Sequence, residues 1–336
     1  MTRYIIRRLL QAIPLLFLIS IVMFTLVNVA PGGPLAGHTK SRHMKPEQAE
    51  RLRRQLGLDK PLYMQYLIWL VGNDWLQEDG TRRGVLRGDF GFSFQTRRPV
   101  LTEIMDRLPN TIYLMSVTFI IIMLISIPIG IISAIKQYSL FDIVVTTISF
   151  IGQAIPEFWF GLILIIVFYA TLHNPFTGEP LLPSGGMATL GQPFSLWDRI
   201  KHLILPVSME ALGWVAWYSR FLRSSMLEVI NMDYIRTARA KGLGERVVLF
   251  RHALKNAAIP LVTLLALDMP YLFAGALYTE IIFSWPGMGR LYYQAAVRRD
   301  YPVLMAILMI EALLMVLANL MADIAYAYLD PRVRYD

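Results

Sequence analysis

The sequence predicts an all-α membrane protein with six transmembrane helices, a long first loop and a basic connection between the fourth and fifth spans. Three observations carry that prediction. The 336 residues are 55% hydrophobic and only 17% charged, where a soluble domain carries roughly 25%. Six segments meet or approach the roughly 20 apolar residues that cross a bilayer. The net charge of +8 is spread between apolar runs rather than gathered on a soluble surface, which points to topology and lipid headgroups and not to nucleic acid.

The elements follow in order. Arg3, Arg7 and Arg8 precede an apolar run over 9–30. That run is longer than the about 7–15 residues of a signal-peptide core, and no small-residue cleavage site follows it, so it reads as a retained first span. The other spans are 111–135, 143–171, 203–219, 257–283 and 303–329. The fourth is the weakest, with Glu210 inside it and His202 and Arg220 at its ends. The chain thus divides into a tail and first span (1–30), an outer loop region (31–110), a five-helix core (111–329) containing the connection 220–256, and a tail (330–336).

Six spans place both termini on one side. The N-terminal arginines and the connection 220–256, with Arg220, Arg223, Arg236, Arg239, Lys241, Arg246, Arg251 and Lys255, make that side cytoplasmic by the positive-inside rule. The first loop is long enough to escape the rule. The fifth-to-sixth connection, with Arg290, Arg298, Arg299 and Asp300, runs against it.

Within the first loop, Ala49, Leu52 and Leu56 of KPEQAERLRRQLGL recur at helical spacing. PLYMQYLIWLV reads as a helix too short to span, and the glycine-rich GDFGFSF as a turn or extended piece. The loop is a lid over the outer end of the bundle, a contact for a soluble partner, or both. Pro128, Pro156, Pro206, Pro260 and Pro270 fall in the spans. They mark gating kinks or the ordinary proline content of membrane helices.

The stretch DYIRTARAKGLGERVVLFRHALKNAAIP, residues 233–260, is the most informative. Leu243, Val247, Phe250 and Leu254 follow a 4-3-4 spacing that predicts a short amphipathic helix with the basic residues off the stripe. Gly242 and Gly244 supply a tight turn ahead of it. Two readings fit: anchoring on anionic headgroups, and docking of a soluble partner. The length of the stretch favours docking, because a topology signal needs only a few residues. The sequence has no GxxxxGK[ST] phosphate loop, no HExxH and no nucleophile constellation, and its five histidines are scattered. It predicts no enzyme, no bound cofactor and no metal site. Uphill transport by such a chain needs a partner or an ion gradient.

These residues carry a resemblance. DYIRTARAKGL followed by HALKNAAIP is similar to the coupling loop of ATP-binding-cassette importer permeases, in the variant of the dipeptide/oligopeptide permease family, B-type component. Arg236-Thr237-Ala238 stands where the general importer motif has Glu-Ala-Ala. GDFGFSF, RLPNT, IPEFWFGLIL, HLILPVSM, TEIIFSWPGMGRL, RRDYPV and NLMADIAYAYLDPRVRY follow in the family's order. Phe90 stands where leucine is commoner, and NDWLQEDGTRRGVL looks like an insertion.

The resemblance implies a type I-like ABC importer fold with a cytoplasmic coupling helix, in the bacterial inner membrane. It implies a second homologous permease, two ATPase subunits that bind ATP and Mg, an extracytoplasmic substrate-binding protein, and short peptides as cargo. Arg236, Ala238, Gly242, Leu243, Val247, Phe250, His252 and Leu254 would couple to the ATPase. Asp89, Phe90, Trp285, Pro286 and Gly287 would form an outer gate or partner contact.

Carboxylates in a span are costly and turn toward the bundle, a cavity or a partner. Glu210, Asp268 and Glu311 are the deepest, with Glu157, Glu280 and Asp323 nearer the ends. The first three line a substrate path, pack against a partner or relay protons. Two alternatives share the composition. One is an ion-coupled secondary transporter, although no inverted repeat is evident. The other is the same ABC architecture carrying nickel or an oligosaccharide.

Overall fold

The computed structural model describes residues 2–30, 58–73 and 83–329. The expected helix over 45–58, most of the insertion and the tail 330–336 lie outside them. The described chain is helical, its only β features being the isolated bridges Phe92–Pro99 and His173–Pro180. It forms two compact units: Thr2–Asn110 with Gly287–Leu317, and Thr111–Pro286 with the chain from Ala318 onward.

In the first unit, α1 (Thr2–Val29) has its charges, Arg3, Arg7 and Arg8, near its start and is largely apolar beyond them. The helix α2 (Leu62–Val71) is short, as expected, and Gly72 with φ 105° ends it. Ser20 and Tyr66 share a hydrogen bond of 2.7 Å, and Phe24 packs edge-on against Tyr66 and beside Trp69. The helix α3 (Val100–Ile135) begins in this unit and supplies Val100 and Ile104 to a core with Met288, Leu291, Val303 and Ile307.

Asp300 follows Arg298 and Arg299, two of the charges that run against the positive-inside pattern. It is buried, and its carboxylate accepts from Ser93 Oγ (2.5 Å), Phe94 N (3.0 Å) and Gln95 N (3.2 Å). The RRDYP segment is thereby clasped to the end of GDFGFSF and the residue after it.

In the second unit, the third predicted span is not one rod. It is α4 (Leu140–Ala154) and α5 (Glu157–Ile165, continued by π-helical turns to Thr171), bent by 101°. The cause is local. Ile155 precedes Pro156 and is forced to extended backbone, ψ 127°. The helix α6 (Leu196–Ile230) contains the fourth predicted span and is the axis on which α4, α5 and the later helix Leu254–Asp268 pack. Ser195 caps α6 by accepting from the Asp198 amide. The amide and hydroxyl of Thr189 bond Asp198, and this holds its carboxyl below the ordinary range, the hydroxyl contributing most.

His202, expected at a boundary, is buried and bonds the Gly185 carbonyl at 2.9 Å. Gly186 N donates to Phe283 O at 2.7 Å. A Cβ on Gly185 would lie 2.3 Å from that carbonyl oxygen, so only glycine fits.

The fifth span is also interrupted. A helix runs through Glu245–Val247 and π-helical turns at Val248–Ala253 into α8 (Leu254–Asp268). After Pro270 the chain makes a single turn, passes Gly275 at φ 79°, and resumes as α9 (Leu277–Ile282). The remaining helices are α10 (Met288–Arg298) and α11 (Tyr301–Leu329).

Among the described residues, four helices are long and apolar enough to cross a membrane, or five if the bent α4–α5 pair counts as one crossing. This is an all-α, multi-span membrane fold. The count falls short of six because α6 carries Glu210 and charged ends, which dilute its apolar middle.

Candidate functional site

Two places gather the chemistry foreseen from sequence: the turn after α6, and a cavity between helices of the same unit.

At the turn, α7 (Asp233–Ala240) follows Asn231 and Met232, with Asp233 in its first turn and Arg239 in its last, both favourable to the helix dipole. Ile235 and Ala238 are buried and join the core of Tyr218, Leu222, Met226, Val229 and Val248. Gly242 turns the chain with φ 76°, while Gly244 at φ −60° needs no special freedom. Arg239 straddles Glu245 across this turn, at 2.7 and 3.2 Å. The basic stretch is therefore two helices joined by a pinned turn, and the second is the beginning of the next span.

The predicted stripe divides. Leu243, Val247 and Phe250 are exposed, Phe250 by 57%. Leu254 packs on the core instead. The π-helical turns at 248–253 are the reason. The wider turn shifts the register between Phe250 and Leu254, and it directs Val248, Leu249 and Ala253 inward. Arg236 is exposed, and its guanidinium is 3.5 Å from Asp233. His252 is half-buried. Of the eight residues foreseen for coupling, Ala238 and Leu254 face the core; Arg236, Leu243, Val247 and Phe250 form an exposed basic and apolar surface.

The end of α6 that leads into this turn is fixed by contacts to α4 and α8. Arg223 makes a two-point ion pair with Asp142, at 2.6 and 2.7 Å, and Asp142 also accepts from Tyr138 N at 3.0 Å. Ser225 donates to Ala257 O at 2.8 Å, tying α6 to α8.

The cavity encloses about 80 Å³ and is lined by Thr118, Glu210, Trp214, Tyr218, Asp268 and Tyr271, with apolar residues of α3 and of the turn after Pro270. The Tyr218 hydroxyl donates to Asp268 Oδ2. Thr279 Oγ1 donates to Glu210 Oε2 at 2.8 Å. Trp214 stacks on Tyr218, with centroids 5.9 Å apart and an interplanar angle of 24°, and meets Tyr271 at 6.0 Å.

Two of the three deep carboxylates thus converge. Glu311 belongs to the other unit and is not among the residues around this cavity. Glu280 is fully buried and accepts from Thr111 Oγ1 at 2.7 Å, a packing role. Glu157 is exposed. Sequence reasoning missed Thr118, Trp214, Tyr218 and Tyr271. The (i, i+4) pair Trp214–Tyr218 was the available signal, since it aligns two aromatic rings on the helix that carries Glu210.

The residues foreseen for an outer gate have local tasks. Asp89 accepts from Arg83 N and Gly91 N, folding its own loop. Phe90 packs against the core of its unit. Trp285 is fully buried and stacks on Tyr113. Pro286 is half-buried and Gly287 buried, the latter opening α10. Among the described residues no cluster of three or more His, Cys, Asp or Glu is placed to hold a metal ion.

The family described as "Binding-protein-dependent transport system inner membrane component" matches residues 126–335, and its N-terminal companion matches residues 1–115. The oligopeptide transport system permease protein AppB of Bacillus subtilis is 46% identical over the whole of both chains. The dipeptide transport system permease protein DppB of Escherichia coli is 36% identical over all of this chain and 99% of its own. A solved chain of the MetNI methionine ABC transporter, in inward-facing conformations, has the same fold. Its TM-score is 0.54 at 16% identity, over 68% of this chain and 97% of its own. The chain belongs to the inner-membrane permease components of binding-protein-dependent ABC importers, in the dipeptide/oligopeptide permease family, B-type component.

Proposed function

We propose that this chain is one of two permeases of an ATP-driven importer of short peptides. It supplies half of the passage and transmits force from ATPase subunits to the membrane helices. The carrying observation is full-length similarity to chains named as peptide permeases. The chain is a permease subunit and not an enzyme. ATP and Mg bind on partner subunits, and an external binding protein delivers the cargo.

Counting the bent α4–α5 pair as one crossing and α6 as another gives six. Both termini then lie in the cytoplasm, together with the turn after α6. The exposed patch of Arg236, Leu243, Val247 and Phe250 enters a groove of an ATPase subunit, with its apolar side chains buried there and its guanidinium fixing registry. The chain is continuous from that patch through the π-helical turns into α8, which ends at Asp268 beside the cavity. A push on the patch is therefore delivered along a helix to the cavity wall. Glu210 and Asp268 line the route of the peptide.

The test is gentle purification from native membranes, identification of every co-eluting chain, and reconstitution into vesicles. Peptide uptake that requires hydrolysable ATP supports this function. Accumulation by the isolated chain without a nucleotide-hydrolysing companion contradicts it and supports ion coupling.

A further inference from the structure

The cavity of α3, α6 and α8 carries more chemistry than a passage needs. Two carboxylates, Glu210 and Asp268, share a chamber of about 80 Å³ whose other walls are apolar, aromatic or hydroxyl-bearing, and no basic side chain is among its lining residues. Thr279 donates to Glu210, which also has a side-chain hydrogen bond with Trp214, and Tyr218 donates to Asp268. A carboxylate accepts about four hydrogen bonds, so both keep capacity for another donor. The third polar group points to a ligand independently. Thr118 is 1% exposed, lines the same chamber, and its Oγ1 has no hydrogen-bond partner. A buried hydroxyl left so is destabilising unless something completes it.

We propose that this cavity takes the α-ammonium end of the peptide in transit, with Asp268, Glu210 and Thr118 receiving its three N–H donors and the Trp214–Tyr218–Tyr271 rings facing its charge. This rests on the peptide-importer reading above and assigns the cavity its ligand chemistry.

The alternatives fit less well. A divalent metal such as calcium takes about six to eight oxygen ligands, and the cavity offers two carboxylates and two or three hydroxyls. A proton path has no use for three aromatic rings around the carboxylates. An ammonium uses both features, because π faces attract organic cations within about 6 Å. At the roughly 10–15 Å³ of cavity space that one water needs, about 80 Å³ leaves room for an ammonium group and the atoms next to it.

The experiment uses the purified permease–ATPase assembly without the binding protein, so that upstream selection is removed. Alanyl-alanine and N-acetyl-alanyl-alanine are titrated by calorimetry into wild type, Asp268→Asn and Thr118→Val. Wild type should prefer the free amine by about tenfold or more, the range of a charge-assisted hydrogen bond. Asp268→Asn should bind both peptides alike. Thr118→Val keeps shape and should weaken alanyl-alanine several-fold without altering its acetylated partner.

Equal binding of the two peptides by wild type overturns the proposal, as does an unchanged preference in Asp268→Asn, or no binding of either. ATP-dependent uptake by the full assembly is measured in parallel. If uptake of every peptide in a panel is absent, the importer reading itself has failed; if uptake is present and the amine preference is missing, only this assignment has.

Discussion

Truncating Phe250 should separate partner binding from folding. Phe250 keeps 57% of its surface exposed in the chain. A phenylalanine has roughly 200 Å² to bury, so about 110 Å² remains for a partner. At about 25 cal/mol per Å², covering it is worth at most about 3 kcal/mol, or roughly a hundredfold in dissociation constant. Phe250→Ala should therefore weaken association with the ATPase by up to that factor, and Phe250→Asp by more, because a carboxylate must be desolvated as well.

The permease itself should notice little, since an exposed substitution away from special features costs about 0.5 kcal/mol or less. The assay pairs a binding titration of detergent-solubilised permease against its ATPase with the thermal midpoint of the permease alone. An unchanged affinity refutes the docking assignment. A large fall in the midpoint refutes the premise that Phe250 faces outward.

Arg223→Ala strands the buried Asp142 carboxylate and should cost about 3 kcal/mol, read as a lower unfolding midpoint in detergent that Asp142→Asn/Arg223→Met partly restores. Gly185→Ala drives a methyl against the Phe283 carbonyl and should destabilise by about 1–3 kcal/mol, with faster proteolysis of the loop before α6. Asp300→Asn loses charge-assisted acceptance from Ser93, Phe94 and Gln95, a loss of about 1.5–3 kcal/mol. It should raise the rate of tryptic cleavage after the exposed Arg97 while leaving the second unit's unfolding unchanged.

Four of the six expected spans, five with the bent pair, and the basic turn were legible in the sequence because both depend on composition along the chain. Apolar run length and charge position need no knowledge of neighbours. What failed depended on backbone detail. The 4-3-4 stripe assumed an α-helical register, and the π-helical turns at 248–253 broke it, sending Leu254 inward while Phe250 stayed out. Pro156 was one of five span prolines that mark kinks or ordinary proline content, and the bend of 101° comes with the extended Ile155 before it.

The cavity was half legible. Glu210 and Asp268 stood out because carboxylates in apolar runs are rare. Tyr218, Trp214 and Tyr271 did not, because an aromatic in a membrane helix is ordinary until a carboxylate lies beside it. Asp300 taught the opposite lesson. It counted as a topology charge in the sequence and is a buried clasp in the fold, where its three donors are some two hundred residues away.

The central claim is that the turn after α6 lies in the cytoplasm in the grip of an ATPase. The chain has no cysteine, so Val247→Cys gives one thiol at an exposed position on that turn. Charged with a photo-activated cross-linker in native membranes, it should capture a nucleotide-hydrolysing chain, and it should resist a membrane-impermeant maleimide added to intact cells. Labelling from outside, or capture of no such chain, would contradict the account.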